Sequence, residues 1–464
     1  MSNSKTLLWV LAILYQAYAG VIGGPLTLVL DNTPYKHDVG LILGVLHLGF
    51  LCGFVLENLL EKHLNPATIS MVGAWLLSAC MGGYLLLFTM ERKILPLFLL
   101  LRMLEGMSSL FVFDGLLYMF KQYYQENEEK LKKAVARRSM ATAVSLTFAS
   151  AVAASLSTKL SPVTWQLLNG CAVSLTIALF CTILRLRIRI TRSEDRATAH
   201  EQGDSANTQA DAKREGGVHK IQWWTLLGFM LGVLAPATIT YTLLHTYLPA
   251  YVNQHSPYPV PFFGDWTAGD IMAVVLSLGV VGGLVGSYST EKIPSKWTWR
   301  YQLLGGYIPL IAGMILLAIG GHRSFWVLYL AQVLISWGNS VVLSTIETSL
   351  QKLRLNLGKQ EGMKQGSSTL ARFVFTVLFS WLFIKPDPAD PNQLKISRGM
   401  WLVAALIPLV GIVMLPKWAA FILRHSGNGA KEARHDPQRV TTFAMRVKST
   451  LLGFCLWYFL LRPR

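Results

Sequence analysis

The sequence predicts an all-α membrane protein of twelve transmembrane helices in two six-helix bundles. Only 14% of the 464 residues are charged, whereas a soluble domain normally carries about a quarter. Stretches of about twenty or more residues, such as 6–30 and 401–423, are almost uncharged. In hydrocarbon, only a helix or a closed barrel satisfies all of its own backbone polar groups. The alternating pattern of a membrane barrel is absent from the sequence, so helices are the expected spanning elements.

Apolar stretches of this length recur along the chain and define twelve predicted spans. They are 6–30, 39–59, 67–89, 95–119, 139–158, 164–186, 222–249, 268–289, 299–320, 325–348, 366–384 and 400–423. Most of the 42 Lys and Arg residues fall on one side of these spans, and the positive-inside rule places that side in the cytoplasm. The sequence therefore predicts a multi-pass integral membrane protein of the plasma membrane or an endomembrane, with both termini cytoplasmic.

A long polar connection divides the spans into six plus six. It runs from Arg187 to Lys220 with almost no large apolar residues, which predicts a disordered cytoplasmic linker. Beyond the last span, the apolar stretch 451–461 is too short to cross a bilayer and is expected to lie at the membrane interface. The predicted organisation is an N-terminal six-helix bundle at 1–187, the linker at 188–220, a C-terminal six-helix bundle at 221–424 and a cytoplasmic tail at 425–464.

Composition argues against several classes of function. A net charge of +17 would suggest nucleic-acid binding in a soluble protein, but here the basic residues lie between apolar spans and membrane topology accounts for them. The five Cys residues lie in apolar segments without metal-ligand spacing, so no metal or other cofactor is predicted. A membrane enzyme would need catalytic side chains clustered near one interface. The titratable residues are instead scattered among different spans, and an enzyme is not expected.

Short motifs recur in the two halves. A pair of glycines four residues apart is followed by an acid on span two and again on span eight: Gly49, Gly53 and Glu57, then Gly282, Gly286 and Glu291. Small residues at this spacing let helices approach closely in lipid, so packing alone could also explain the glycines. Span four contains a second motif, Arg102-Met-Leu-Glu105-Gly106.

These motifs resemble those of the major facilitator superfamily, over the chain from span one to span twelve. The stretch from Gly53 to Lys62 keeps the glycine, the acid and a base of the family's loop motif, and the span-four motif is similar to the family's Arg-x-x-x-Gly. The region from Gly282 to Glu291 looks like a loop of the twelve-span drug:proton antiporter branch, which includes vesicular amine-like and fungal members. The resemblance implies the major facilitator fold, antiport and efflux. It also implies a gating role for Gly53, Glu57, Lys62, Gly286 and Glu291.

Ionisable residues inside the predicted spans are candidates for binding solute or protons. A charge at the bilayer centre costs at least about 2.5–3.5 kcal/mol. Arg102 and Glu105 are three residues apart on one helix face, so they can form either a self-sufficient structural pair or a proton-coupling pair. Asp114 lies on the opposite face toward the cytoplasm, where it is expected to act as a gate against the basic loop 130–138. The other candidates are His47 on span two, His245 on span seven and Arg372 on span eleven.

Polar residues at helical spacing mark faces that avoid lipid on spans one, seven and ten. The candidates for solute contact on these faces are Gln16, Tyr241, His245, Gln332 and Asn339. Pro236 is expected to kink span seven. Hydrogen bonds between helices are the simpler explanation of such stripes, but these spans resemble the cavity-lining helices of the family.

The sequence thus predicts a secondary active transporter that works as a monomer in the lipid bilayer. The two halves would rock about a central site, and protonation of Glu105 or Asp114 would couple the cycle to protons. Aromatic, amide and hydroxyl groups favour a small amphipathic organic solute, with efflux as the predicted direction. Proton-coupled uptake and a transporter-derived sensor or scaffold stay open as alternatives, and a polytopic membrane enzyme is the least favoured.

Overall fold

Long helices make up most of the structure. The computed structural model describes residues 2–31, 35, 38–60, 63–90, 94–124, 141, 144–145, 148–149, 152, 162–201, 223–256, 258–260, 264–292, 299–351, 357–386 and 394–425. The helices are α1 (Ser2–Asp31), α2 (Val39–Leu60), α3 (Pro66–Thr89), α4 (Leu95–Tyr124), α5 (Pro162–Glu201), α6 (Trp223–Phe229), α7 (Ala235–His255), α8 (Ala268–Lys292), α9 (Trp299–Gly320), α10 (Phe325–Gln351), α11 (Leu357–Phe383) and α12 (Gly399–His425). A π-helical turn, Met230–Leu234, joins α6 to α7.

Within the described residues, ten helical stretches are long and apolar enough to cross a membrane. Nine of them lie in α1 to α5, α8 to α10 and α12, and the tenth, Leu226–His255, runs through α6, the π-helical turn and α7. In α11 the apolar stretch is shorter, Ser367–Phe383. The predicted span 139–158 lies mostly outside the described residues. Each of the other predicted spans coincides with a helix or, for 222–249, with these joined helices.

The structure differs from the sequence expectation at the start of the predicted linker. Helix α5 continues to Glu201, so residues 188–201 are helical where disorder was expected. Arg, Glu and Ala, which have high helix propensity, are frequent in this stretch, and the first glycine comes only at Gly203. Residues 202–220 of the linker and 426–464 of the tail lie outside the described part of the chain.

Two short antiparallel hairpins, which the sequence analysis did not predict, lie at one end of the helices. Their strands are β1 (Tyr258–Val260) with β2 (Gly264–Trp266), after α7, and β3 (Ile384–Pro386) with β4 (Leu394–Ile396), after α11. The Ile396 N–H donates to the Gln254 side-chain oxygen of α7 at 2.9 Å. The Tyr258 hydroxyl donates to the Gly321 carbonyl, between α9 and α10, at 3.0 Å. We call this side of the molecule the hairpin end.

The irregular turn before α7 follows from Pro236. Proline has no N–H, and its ring clashes with the carbonyl four residues earlier, so a regular helix cannot continue through it. The chain instead widens into the π-helical turn, in which the Ala235 N–H bonds to the Met230 carbonyl. The Val233 carbonyl accepts a hydrogen bond from the Tyr307 hydroxyl of α9. The distortion expected at Pro236 is thus a widened turn that is stabilised by a neighbouring helix.

Each half of the chain has its own hydrophobic core. One core is built from buried residues between Leu8 and Leu184, and the other from buried residues between Leu226 and Phe421. In the first half α4 packs on α2 and α3, and in the second half α10 packs on α8 and α9. Two separate cores are what a pair of independently packed bundles requires.

Glycines let α2 cross α4, and α8 cross α10, at close range. A Cβ added to Gly49 would overlap the backbone carbonyl of Met103 on α4. At the corresponding crossing in the second half, a Cβ on Gly282 would overlap the carbonyl of Val333 on α10. The weak internal repeat in the sequence therefore corresponds to a repeated helix crossing, as expected for small residues at packed interfaces in membranes.

Replacing Gly49 with Ala is expected to destabilise the fold by about 1–3 kcal/mol, the usual cost of overpacking. The added methyl group would overlap a backbone oxygen of Met103, which cannot rotate away. Gly82 on α3 is the matched control, because a Cβ there would meet nothing within 4 Å. In thermal unfolding of the purified variants, Gly49→Ala should lower the midpoint and Gly82→Ala should not. Equal midpoints would contradict the close crossing.

The two halves meet along a seam formed by α1 with α7 and by α2 with α11. Near the hairpin end, a Cβ on Gly40 of α2 would overlap the Ser380 side chain of α11. One turn further along α2, a Cβ on Gly44 would lie 2.7 Å from a methyl carbon of Val377. The halves are therefore in close contact beside the hairpin end.

Candidate functional site

An ion pair lies buried inside the N-terminal half. On α4, Nη1 of Arg102 lies 2.5 Å from Oε2 of Glu105, and the two side chains are only 1% and 4% exposed. Tyr84 of α3 donates to Oε2 of Glu105 at 2.7 Å, and Tyr18 of α1 donates to Oε1 at 3.1 Å. We call these four residues the Glu105 cluster. Their arrangement places Arg102 and Glu105 on the shared helix face that the sequence spacing indicates.

Neighbouring helices converge to build the Glu105 cluster. Both α1 and α3 pack against α4. Gly106, next to Glu105, lets α2 approach so closely that a Cβ would overlap the Leu46 carbonyl. A buried carboxylate is stable only when charged or polar donors compensate it. Glu105 has three such donors, so a proton arriving there would weaken three hydrogen bonds at once.

Tyr18 and Tyr84 are functional candidates that the sequence analysis missed. Both tyrosines are buried. The signal in the sequence was a tyrosine inside an apolar span, because its hydroxyl usually needs a hydrogen-bond partner when it is buried. The predicted candidate on α1 was Gln16, which is half-buried. The α1 side chain that reaches Glu105 is Tyr18, two residues further along the helix.

A second carboxylate lies about two and a half turns further along α4. Asp114 is half-buried and acts electrostatically on the hydroxyl of Tyr15 on α1, which is also hydrogen-bonded to Ser109. Glu105 acts on the same hydroxyl more weakly. The Tyr15 hydroxyl is therefore within electrostatic reach of both carboxylates that the sequence singled out. The basic loop 130–138, expected to contact Asp114, lies outside the described residues.

Residues from both halves approach each other across the seam. The His47 ring on α2 is within electrostatic reach of the guanidinium groups of Arg372 on α11 and Arg102 on α4. Tyr241 on α7 acts on Arg372 in turn, and its ring lies 4.2 Å from that of His245, measured between centroids. We call His47, Tyr241, His245 and Arg372 the seam group. The seam group thus joins predicted candidates from three helices, and Arg102 on α4 lies within electrostatic reach of His47.

Several side chains of the seam group have buried polar atoms without a hydrogen bond. In the described part of the chain, Nδ1 of His47, Nε2 of His245 and Nε of Arg372 have no partner. Unpaired polar groups away from water are costly and usually mark a place for water or a ligand. The seam group is therefore the candidate solute site. Among the described residues, no three His, Cys, Asp or Glu side chains are grouped to hold a metal ion.

Helix α10 presents the predicted candidates Gln332 and Asn339, which are both buried. Gln332 donates to the Ser336 hydroxyl at 3.3 Å. Oε1 of Gln332 and Oδ1 of Asn339 have no partner within the described residues. The matching helix crossings of the two halves make Gln332 the counterpart of Arg102. The second half therefore has a neutral amide where the first half has a charged guanidinium.

The predicted gating positions lie toward the end of α2 and α8 that is opposite to the hairpins. Gly53 and Gly286 lie against the backbones of α4 and α10, where a Cβ would come within 3.0 Å and 2.7 Å of backbone atoms. Glu57 is a buried carboxylate, 5% exposed. Lys62 lies outside the described residues, and only the backbone of Glu291 is described. The structure thus places both glycines at helix crossings.

Sequence comparison assigns the family. The model of the Major Facilitator Superfamily matches residues 8–355, which is well over half of the 464 residues. The chain belongs to the major facilitator superfamily. The predicted major facilitator fold is thereby confirmed, and the protein is a secondary transporter in a membrane. The match assigns the superfamily and not a branch, so membership of the drug:proton antiporter branch stays a prediction.

Solved transporter structures share this superfamily fold. Tetrameric PepTSo2 aligns with a TM-score of 0.64 at 13% identity, over 90% of this chain and 99% of that chain. The nucleoside transporter NupG aligns with a TM-score of 0.59 at 14% identity, over 90% and 98%. The D-xylose-proton symporter aligns with a TM-score of 0.61 at 13% identity, over 89% and 97%. At such identities the likeness concerns the fold alone. A search of curated proteins found no matching sequence.

Proposed function

We propose that this superfamily member is a proton-coupled transporter that exports a small amphipathic organic solute by alternating access. The observation that supports the proposal is the Glu105 cluster. It holds a carboxylate away from water with a cation and two hydroxyl donors. A buried ionisable group in a membrane protein is costly, and it is a functional candidate for that reason.

Glu105 is the proposed proton site. A proton there removes the negative charge that compensates Arg102 and turns an acceptor oxygen into a donor. Arg102 would then need another acceptor, and a neutral His47 ring, which lies within its electrostatic reach, has one nitrogen that can accept. Such an exchange of partners would give the two states different proton affinities, as coupling requires. Asp114 is the second candidate for the proton site.

The proposed moving units are the bundles 1–187 and 221–424, connected by the linker 188–220. The contacts of α1 with α7 and of α2 with α11 would separate when the site opens toward the hairpin end. We place both termini in the cytoplasm, so the hairpin end would face away from it. The transporter would act as a monomer in the plasma membrane or an endomembrane.

The composition of the site supports an amphipathic solute. The seam group combines aromatic rings with unpaired polar atoms, and α10 adds the amides of Gln332 and Asn339. Ligand sites that are mostly apolar with a few placed polar groups are typical for small organic molecules. A bare inorganic ion would need a denser set of charged ligands.

Proton-coupled uptake is the second candidate function. Solved structures with the same fold include proton dependent oligopeptide transporters and the D-xylose-proton symporter. The third possibility, a sensor or scaffold without coupled transport, would show no solute flux. The direction of solute movement relative to proton flow distinguishes the first two functions. Antiport moves the solute against the direction of proton flow, and symport moves it in the same direction.

The proposal predicts that Glu105→Gln abolishes solute flux driven by a pH gradient while exchange at equal pH persists. Gln keeps the size and the acceptor oxygen of Glu105 but cannot bind a proton at this position. Flux would be measured in reconstituted vesicles, with solutes first selected by thermal shift from amines, organic acids and hydrophobic drugs. The matched control is Asp265→Asn, since Asp265 is an exposed carboxylate in β2. Unchanged uphill transport by Glu105→Gln would remove Glu105 from the mechanism.

A further inference from the structure

The two arginines in the membrane-spanning helices near the seam differ in how their charge is compensated. Arg102 is paired with Glu105 at 2.5 Å. Nε is buried without a hydrogen bond in both arginines, but Arg372 has no carboxylate partner among the described residues. The group that acts on Arg372 to stabilise its charge is a phenol, Tyr241. One positive charge at the seam is therefore uncompensated.

The chemistry of a free guanidinium indicates what would bind there. Its planar fork of donors matches a carboxylate, which can accept two parallel hydrogen bonds. A buried charge without a partner is unfavourable, so an anionic ligand would gain strongly by supplying the missing negative charge. Because Arg102 is already paired with Glu105, the site has one available arginine for a single anionic group.

Aromatic rings lie within electrostatic reach of Arg372, namely Tyr241 on α7 and His47 on α2. On α2 the rings of His47 and Phe50 stack with 6.3 Å between centroids. These rings, with Tyr241 on α7, would contact the apolar body of a ligand rather than a hydrated inorganic anion.

From this juxtaposition we propose that the transported solute is an organic monoanion, with one carboxylate bound by Arg372 and an apolar body against the aromatic rings beside it. The inference rests on the proposed transport function and specifies the substrate class of the same site. The charge of Arg372 would also couple solute binding tightly to the movement of the two halves. An empty site leaves a positive charge that resists enclosure between the halves, whereas the bound carboxylate neutralises it.

Matched acids and amides test the proposal directly. Thermal shift of the purified protein would compare phenylacetate with phenylacetamide, indole-3-acetate with indole-3-acetamide, and hexanoate with hexanamide, with phenethylamine as a cation. At least one acid is expected to raise the unfolding midpoint at a concentration at least about tenfold lower than its amide requires, since one good charge-assisted contact accounts for about a tenfold change in affinity. Equal shifts for acids and amides, no shift with any acid, or a larger shift with the amine would overturn the proposal.

Variants of Arg372 link the effect to this side chain. Arg372→Gln should abolish the preference for acids, Arg372→Lys should keep part of it, and Arg323→Gln should leave it intact because Arg323 is exposed between α9 and α10. Without ligand, the midpoint of Arg372→Gln should equal or exceed that of the natural protein, since an unpaired buried charge is removed. A lower midpoint for both Arg372 variants would identify Arg372 as structural and would contradict the proposal.

The same variants separate this inference from the transport proposal. Flux driven by a pH gradient for neutral or cationic solutes, with no preference for acids, would overturn the substrate class and leave proton-coupled transport standing. Acid binding that depends on Arg372 without any gradient-driven flux would overturn proton-coupled transport and leave the binding of an organic monoanion standing.

Discussion

Arg102→Leu is expected to destabilise the protein by about 3–5 kcal/mol, the usual cost of removing one partner of a buried ion pair. The change leaves Glu105, only 4% exposed, with the hydroxyl donors of Tyr18 and Tyr84. Two neutral donors do not compensate a full charge in a site without water. The measurement is the midpoint of thermal unfolding of the purified variant.

The double variant Arg102→Leu with Glu105→Leu is the control for this prediction. Replacing a whole buried ion pair with apolar side chains is often neutral or stabilising. The double variant should therefore unfold at a higher temperature than Arg102→Leu alone. If the two variants unfold at the same low temperature, the loss comes from the packing of the Arg102 side chain and the electrostatic account of the cluster is wrong.

The ion pair of the Glu105 cluster could be predicted from the sequence, but the rest of the cluster could not. Arg102 and Glu105 are three residues apart on one helix, and this spacing defines their geometry without knowledge of other helices. Tyr18 and Tyr84 come from α1 and α3, 87 and 21 residues away from Glu105 in sequence. Their contact with Glu105 depends on the rotation and depth of three helices, which a single sequence does not determine.

At the seam, too, the individual residues could be predicted from the sequence, but their contacts could not. His47 and Arg372 could be recognised as ionisable residues inside apolar spans, because the cost of such residues in lipid makes each one conspicuous. Their mutual proximity depends on how α2 packs against α11. The glycines of α2 indicate a close helix contact but not its partner: Gly44 faces α11 and Gly49 faces α4.

Local features explain two differences between the sequence prediction and the structure. Pro236 predicts an interruption of its span, and the structure resolves that interruption into a π-helical turn. The hairpins were missed because each strand has only three residues, too few for an alternating pattern to be recognised. Gly264 in β2 has a φ of 77°, a backbone conformation that favours glycine. The glycine at this position was the local sign of a turn in the sequence.

A disulfide across the seam is expected to stop transport completely while it is intact. A Cβ on Gly44 of α2 would lie 2.7 Å from a methyl carbon of Val377 on α11, so cysteines at both positions would be close enough to bond. Val377→Cys also removes the methyl group that Gly44→Cys would otherwise meet. The bond would hold the halves together beside the hairpin end and prevent the site from opening there.

The most direct test of alternating access is therefore solute flux by the variant Gly44→Cys with Val377→Cys, measured in vesicles before and after reduction. The two single-cysteine variants are the controls, since they contain the same substitutions without the cross-link. We expect flux no greater than that of protein-free vesicles when the pair is oxidised, recovery on reduction, and no effect of oxidation on the single variants. Undiminished flux through the fully oxidised double variant would contradict alternating access, because solute would then cross without separation of α2 from α11.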